Sequence, residues 1–172
     1  MDFYRLEKDF IFLISQKALI LKGERLLILR NTADRLGKTV QWELPGGLLK
    51  MKESLPQGLL REVAEETSLH VSIRSLFHTW DHLEYPFQPE DGRIVHARIL
   101  ELAFCCHHPK GEIHLSEEHD TFLWATKENL QHHSFSPNSQ PAIQKYLTEC
   151  TNTSGSLRLN TPRRILQGTR TP

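Results

Sequence analysis

The residues most able to do chemistry in this chain are three glutamates close together, Glu62, Glu65 and Glu66. Since a helix turns by about 100° per residue, a helix over Leu55–Thr67 would place all three carboxylates on one face. Carboxylates within one turn repel each other, and a hard divalent cation such as Mg²⁺ would offset that repulsion while binding substrate phosphates. A solvated acidic face is the alternative interpretation of the same spacing.

The sequence also predicts where this helix begins and which side of it is buried. Ser54 followed by Gln57 forms a capping box, and Pro56 falls in the first turn, where its missing N–H costs little. Gly58 lies one turn before Glu62 and is expected to leave room above the carboxylates. The opposite, buried side is predicted to carry five residues: Leu59, Leu60, Val63, Ala64 and Thr67.

Strand-like segments surround this helix. Residues 18–21 and 26–29 read as a hairpin with a tight turn at Gly23. Further extended segments are predicted at 42–44, 71–80, 94–106 and 122–125, and a last helix at 141–147. Strands mixed with helices and hairpins favour an α/β fold with a mixed β-sheet sandwiched between α-helices.

Length and charge limit the classes of protein that fit. A chain of 172 residues fits one domain, and 21 basic against 21 acidic residues argue against a broad nucleic-acid-binding face. Residues 151–172 contain four arginines and no acid, which leaves 17 basic and 21 acidic residues in the remainder. We therefore expect a domain over residues 1–150 and a disordered basic tail over 151–172.

The sequence also bears on cellular location. No apolar run is long enough to span a membrane. The three cysteines form no Cys-x-x-Cys pair, so a disulfide framework or a structural zinc site is not expected. These observations favour a cytoplasmic protein without a membrane partner.

From Gly47 onwards the sequence resembles the Nudix box, G-x5-E-x7-R-E-U-x-E-E-x-G-U, in which U is a bulky apolar residue. Eight positions match: Gly47, Glu53, Arg61, Glu62, Val63, Glu65, Glu66 and Leu69. Ser68 departs from the pattern, because the family has glycine there. Glycine is favoured just past a helix end, where it accepts a left-handed conformation, so the serine should cost roughly 1 kcal/mol of stability.

The resemblance implies the Nudix fold and a hydrolase activity. Such enzymes use Mg²⁺, or sometimes Mn²⁺, to cleave the diphosphate linkage of a nucleoside diphosphate joined to another group. By resemblance, Glu65, Glu66 and the Gly46 carbonyl are metal ligands. Glu62 is implied as a ligand or as the general base, which in several members comes from a downstream loop instead.

The resemblance also implies positioning roles for two further residues of the motif. Glu53 and Arg61 resemble the ion pair that holds the loop against the helix and orients Glu62. Either side chain taken alone could be an ordinary surface charge.

Substrate recognition is less clearly encoded. Trp80 and Tyr85 could stack on a nucleobase, although core packing explains them equally well, and the position of Tyr85 resembles that in diadenosine polyphosphate hydrolases. Glu118 and Asp120 lie in a segment resembling a family loop that supplies a metal ligand or a base-recognising acid, and a solvated acidic loop is the alternative.

We expect a small nucleotide substrate, such as a (deoxy)nucleoside triphosphate, with diadenosine polyphosphates and ADP-ribose as the alternatives. A catalytically silent, nucleotide-binding regulatory domain is the rival hypothesis. Silent members usually lose glutamates of the box, whereas Glu53, Glu62, Glu65 and Glu66 are all present. A nucleic-acid partner is not expected, and the sequence leaves a homodimer open.

Overall fold

The computed structural model describes residues 10–32, 40–89, 92–107 and 111–149, so the basic segment 151–172 lies outside the described residues. Within these ranges the chain forms six strands and three helices. The strands are β1 (Phe10–Lys22), β2 (Arg25–Asn31), β3 (Trp42–Glu43), β4 (Ser72–Phe87), β5 (Val95–His107) and β6 (His119–Ala125). The helices are α1 (Leu55–Thr67), α2 (Lys127–Leu130) and α3 (Gln140–Glu149).

The strands form one mixed sheet with the order β3-β2-β1-β5-β4, and β6 pairs with β2. The long pairing of β1 with β5 is parallel, and the other pairings are antiparallel. The strands β1 and β2 pair only near their turn, at Leu21–Leu26 and Lys22–Arg25. The chain after β3 therefore has room to run alongside β1.

Backbone hydrogen bonds hold that segment on β1. The Gln16 N–H donates to the Gly47 carbonyl at 2.9 Å, and the Ala18 N–H donates to the Pro45 carbonyl at 2.8 Å. Gly46 lies between these two bonds, opposite Lys17. Gly46 and Gly47, which we call the glycine pair, are thus held at the centre of the sheet.

Helices cover both faces of the sheet. On one face, Leu59 and Val63 of α1 pack in a core cluster with Ala18, Ile20 and Leu27. The other face carries a second cluster, in which the α3 contribution is Ala142, Ile143 and Tyr146. The mixed sheet between helices that the sequence predicted is confirmed.

Strand lengths differ from the sequence prediction. Strand β4 continues past the predicted end at residue 80 to Phe87, which pairs with Val95 of β5. Strand β1 begins at Phe10, well before the predicted start. The pairing of β1, β5 and β4 with one another supports these extensions, and local propensity does not encode that pairing.

No helix in the described ranges is long and apolar enough to cross a membrane.

Helix α1 begins as the sequence predicts, because the Ser54 N–H donates to Gln57 Oε1 at 2.9 Å. The buried side of α1 differs from the prediction. Leu60 is 38% exposed and Glu66 only 7% exposed. Gly58 leaves no open room either, since a Cβ there would lie 2.6 Å from Leu49 Cδ1. The chain preceding α1 packs against this turn of the helix and changes which side is covered.

Ser68 ends α1 with a left-handed backbone, at φ 59°. We expect Ser68→Gly to raise the free energy of unfolding by about 1 kcal/mol, because glycine adopts this conformation without a Cβ penalty. Thermal and denaturant melts measure the gain, and turnover should stay nearly unchanged. Ser68→Ala keeps the Cβ and should bring no gain. A large activity change in Ser68→Gly would contradict a purely conformational role.

Candidate active site

The backbone of the glycine pair and the carboxylates of α1 meet at the centre of the sheet. The Gly46 N–H donates to Glu66 Oε2 at 2.8 Å. Burial raises the pKa of Glu66 to about 7, although the nearby charges of Lys17 and His119 and the Gly46 N–H act in the opposite direction. A buried carboxylate of this kind is ionised more easily when a further cation is close.

Gly47 lies directly against the Glu62 carboxyl group. A Cβ at this position would be 2.8 Å from Glu62 Cδ, so a larger residue would push the Glu62 carboxylate aside. Glu62 Oε1 lies 2.7 Å from Arg61 Nη1. The motif therefore places Glu62 beside the loop backbone on one side and a guanidinium on the other.

Arg61 connects helix α1 to the chain segment that precedes it, residues 48–53. Its Nε donates to Glu53 Oε1 at 2.5 Å and its Nη2 to Glu53 Oε2 at 2.9 Å, in a two-point contact. Its Nη1 donates to Glu65 Oε2 at 3.0 Å, and its Nη2 also reaches the Leu48 carbonyl at 3.3 Å. The bonds from Arg61 hold the pKa of Glu53 down to about 2. Arg61 thus holds the segment before α1 in place and contacts the carboxylates of Glu53, Glu62 and Glu65.

The glutamates are not gathered around one point. Among the described residues, no three His, Cys, Asp or Glu side chains form a metal-binding group. Arg61 holds Glu62 and Glu65, while Glu66 accepts the Gly46 N–H. The donors on offer are oxygens, which hard cations prefer, and Gly47 leaves the Glu62 carboxyl uncovered by a side chain. The chemistry of this donor set fits a divalent cation.

A second set of charged side chains completes the site: Lys17, Glu43 and His119. Lys17 is 2% exposed, and its Nζ donates to the Gly46 carbonyl at 3.0 Å and lies 3.6 Å from Glu43 Oε2. His119 Nε2 lies 3.1 Å from Glu43 Oε1. Burial opposes ionisation of Glu43, yet His119 and Lys17 together lower its pKa. Burial likewise disfavours the charged imidazole of His119, but Glu43 and Glu66 raise its pKa overall.

Sequence reasoning did not identify these residues. Lys17 stands in an otherwise largely apolar strand, and the sequence analysis gave the histidines no role. The available signals were the isolated lysine inside β1 and the acid of Trp42-Glu43-Leu44 immediately before the glycine pair.

The four candidate substrate-binding residues lie in different settings. Trp80 is half-buried, and its indole Nε1 has no hydrogen-bond partner. Tyr85 belongs to β4, but its side chain lies outside the described part. Glu118 is exposed. Asp120 is also exposed and pairs with Arg30, whose Nε donates to Asp120 Oδ1 at 2.7 Å. A recognition role for these residues stays a prediction.

The raised pKa of Glu66 predicts a pH dependence of stability. Its folded pKa of about 7 exceeds the ordinary 4.5, so the folded state binds the proton more tightly. The resulting stabilisation is complete below pH 4.5 and is lost as pH rises to 7, at most about 3 kcal/mol. Denaturant melts of metal-free protein should show this loss, and Glu66→Gln should remove most of it. If the free energy of unfolding changed equally with pH in both proteins, the assignment of this pH dependence to Glu66 would be contradicted.

Known proteins resemble this chain in sequence and in fold. A family model described as the NUDIX domain matches residues 13–146. A MutT-like protein of Streptomyces ambofaciens is 29% identical over 101 residues, which are 59% of this chain and 58% of that protein. The chain thus spans less than two thirds of the length of that relative.

Solved structures share the fold at low sequence identity. The MutT protein from Methanosarcina mazei Go1 is 22% identical with a TM-score of 0.64, covering 83% of this chain and 96% of that chain. An ADP-ribose pyrophosphatase from Streptococcus suis 89-1591 is 17% identical with a TM-score of 0.59, covering 83% of this chain and 94% of that chain. The family match over most of the chain, which includes the motif between Gly47 and Leu69, shows that this protein belongs to the NUDIX domain family.

Proposed function

We propose that the chain is a Mg²⁺-dependent hydrolase that cleaves the diphosphate linkage of a small nucleotide. The observation that carries this proposal is the contact of Gly46 and Gly47 with the carboxylates of Glu66 and Glu62. These contacts place carboxylate oxygens of α1 against the loop backbone, and the buried cation Lys17 binds the same backbone at the Gly46 carbonyl. Family membership supplies the reaction class.

The residues have distinct roles in this proposal. Glu65, Glu66 and the Gly46 carbonyl would hold Mg²⁺, or Mn²⁺ in its place, and Glu62 is kept for proton transfer. The bound ion would neutralise charge that builds on phosphoryl oxygens. Arg61 keeps Glu62 and Glu65 on the loop side of α1 through its bonds to both carboxylates.

Proton transfer falls to a carboxylate of the same helix. We assign the general base for the attacking water to Glu62, which lies against Gly47. Lys17 adds a fixed positive charge where the substrate phosphates would be bound. Phosphoryl transfer depends mainly on such positioning and charge stabilisation.

The substrate is proposed as a small molecule, with a (deoxy)nucleoside triphosphate as the first choice. The likeness to a protein named an ADP-ribose pyrophosphatase supports testing ADP-ribose beside it. We further propose that residues 1–150 form the hydrolase domain, that residues 151–172 form a separate basic tail and that the protein is cytoplasmic.

A nucleotide panel tests the proposal. Full-length protein is incubated with Mg²⁺ and nucleoside triphosphates, diadenosine polyphosphates or ADP-ribose, and released phosphate, pyrophosphate and nucleoside monophosphate are measured. We expect cleavage of at least one class, abolished by a chelator and restored by Mg²⁺ or Mn²⁺. Binding of a nucleotide without hydrolysis under any of these conditions would favour the silent regulatory domain.

A further inference from the structure

Among the side chains that the structure describes, three buried polar atoms on β4 and β5 have no hydrogen-bond partner: Trp80 Nε1, His82 Nδ1 and Glu101 Oε2. Glu101 is only 1% exposed, although it is an acid in the middle of a strand. Buried polar groups are nearly always paired, because an unpaired one costs the full loss of its hydration. Three such atoms on neighbouring strands suggest a site whose partner is a ligand.

The sheet register places the three side chains together. Trp80 lies opposite Glu101 and His82 lies opposite Ile99 in the antiparallel β4–β5 pair, and the register shifts in this pair lie elsewhere. Residues opposite each other, and residues two apart along a strand, share a face of the sheet. Trp80, His82 and Glu101 therefore line one face, and we call them the polar row.

The polar row borders the solvent only through the rings of Trp80 and His82, which are half-buried. Glu101 and the three unpartnered atoms are themselves covered. The register neighbour of Glu101 on β1 is Ser15, whose hydroxyl bonds to the carboxylate. One carboxylate oxygen is thus engaged inside the protein, while Oε2 has no partner among the described residues.

The row adjoins the proposed reaction centre through Lys17. Lys17 follows Ser15 by two residues on β1 and so lies on the same face. Its charge acts on the Glu101 carboxylate, and its Nζ reaches the Gly46 carbonyl at 3.0 Å. A molecule with phosphates near Gly46 could therefore extend its other end along the polar row.

The chemistry of the three atoms restricts the ligand. Glu101 Oε2 needs a donor, while the indole N–H of Trp80 needs an acceptor, and His82 can serve either role. A phosphate group would be repelled by Glu101, and a metal cation could not accept the indole proton. A nucleobase edge offers an N–H donor beside an acceptor, and the indole adds an aromatic surface next to it.

We propose that the polar row binds the base of the nucleotide, with Glu101 accepting an N–H and Trp80 donating to a neighbouring acceptor of the base. This inference rests on the proposed function for its nucleotide and adds Glu101 as a residue that determines base preference. A site built to hydrogen-bond a donor discriminates strongly against ligands lacking it.

Calorimetric binding of nucleoside monophosphates tests the row without any hydrolysis. We expect the wild-type chain to prefer one base by about tenfold or more, the scale of one hydrogen bond to a charged group. Glu101→Gln should remove that preference, and Trp80→Phe, which keeps an aromatic ring but loses the N–H, should weaken binding of the preferred base. Asp81→Asn, on the opposite face of β4 between Trp80 and His82, is the matched control and should bind as wild type.

Each outcome has a defined meaning. Equal binding of all bases by the wild type, or an unchanged preference in Glu101→Gln, would overturn the inference even if the nucleotide panel shows hydrolysis. Base preference lost in Glu101→Gln would support it even if no hydrolysis is seen, so the two proposals fail separately. A preference that follows ribose against deoxyribose instead of the base would assign the row to the sugar and refute base recognition. If Glu101→Gln does not fold, weaker binding of the preferred base by Trp80→Phe supports the inference, and unchanged binding overturns it.

Discussion

Replacing Glu62 or Glu66 by glutamine should lower turnover on the preferred nucleotide by roughly 10²-fold or more, the usual scale for a lost acid–base or charge-stabilising group. Glutamine keeps the size of the side chain and a carbonyl acceptor, so Gly46 can still donate to position 66. What disappears is the negative charge. Steady-state rates measured at saturating Mg²⁺ give the size of the effect.

The control for this pair is Glu24→Gln, because Glu24 is exposed in the β1–β2 turn, away from the glycine pair. Its rate should match wild type. A second measurement separates lost chemistry from lost folding: Mg²⁺ should raise the melting temperature of the wild type more than that of Glu66→Gln. Wild-type rates in both active-site variants would show that the proposed mechanism is wrong.

Gly46→Ala should lower the free energy of unfolding by about 3 kcal/mol. Gly46 has φ 133°, and a Cβ on it would lie 2.0 Å from the Gln16 carbonyl oxygen. The backbone would have to move away from β1. That movement would break the contacts of Gly46 with Glu66 and Lys17, so turnover should fall as well.

Gly23→Ala is the matched control for this clash. Gly23 also has a positive φ, at 62°, but nothing lies within 4 Å of a Cβ built there. Its cost should be only that of the backbone conformation, about 1 kcal/mol. Denaturant unfolding of both variants compares the cost of the backbone conformation alone with the cost of that conformation and the clash together. Equal losses would mean that the close approach of Gly46 to Gln16 does not contribute.

Local sequence determined the helix and its neighbouring loop well. Ser54, Gln57 and Pro56 predicted the start of α1, and its end at Thr67 agrees with the structure. These features depend on residues three or four positions apart, so a linear pattern contains them. The ion pair of Glu53 with Arg61, which the resemblance to the Nudix box implied, is present in the structure, and its two residues are close together in the chain.

The sequence by itself determined the family, the fold class and the bounds of the acidic helix of this protein. Only the tertiary structure decided that Lys17 lies on the Gly46 carbonyl, that Glu66 is buried and that Glu101 stands beside Trp80. The physical reason is sequence separation. These contacts depend on strand order and register, in particular the parallel pairing of β1 with β5, and such long-range pairing follows from the packing of the whole sheet.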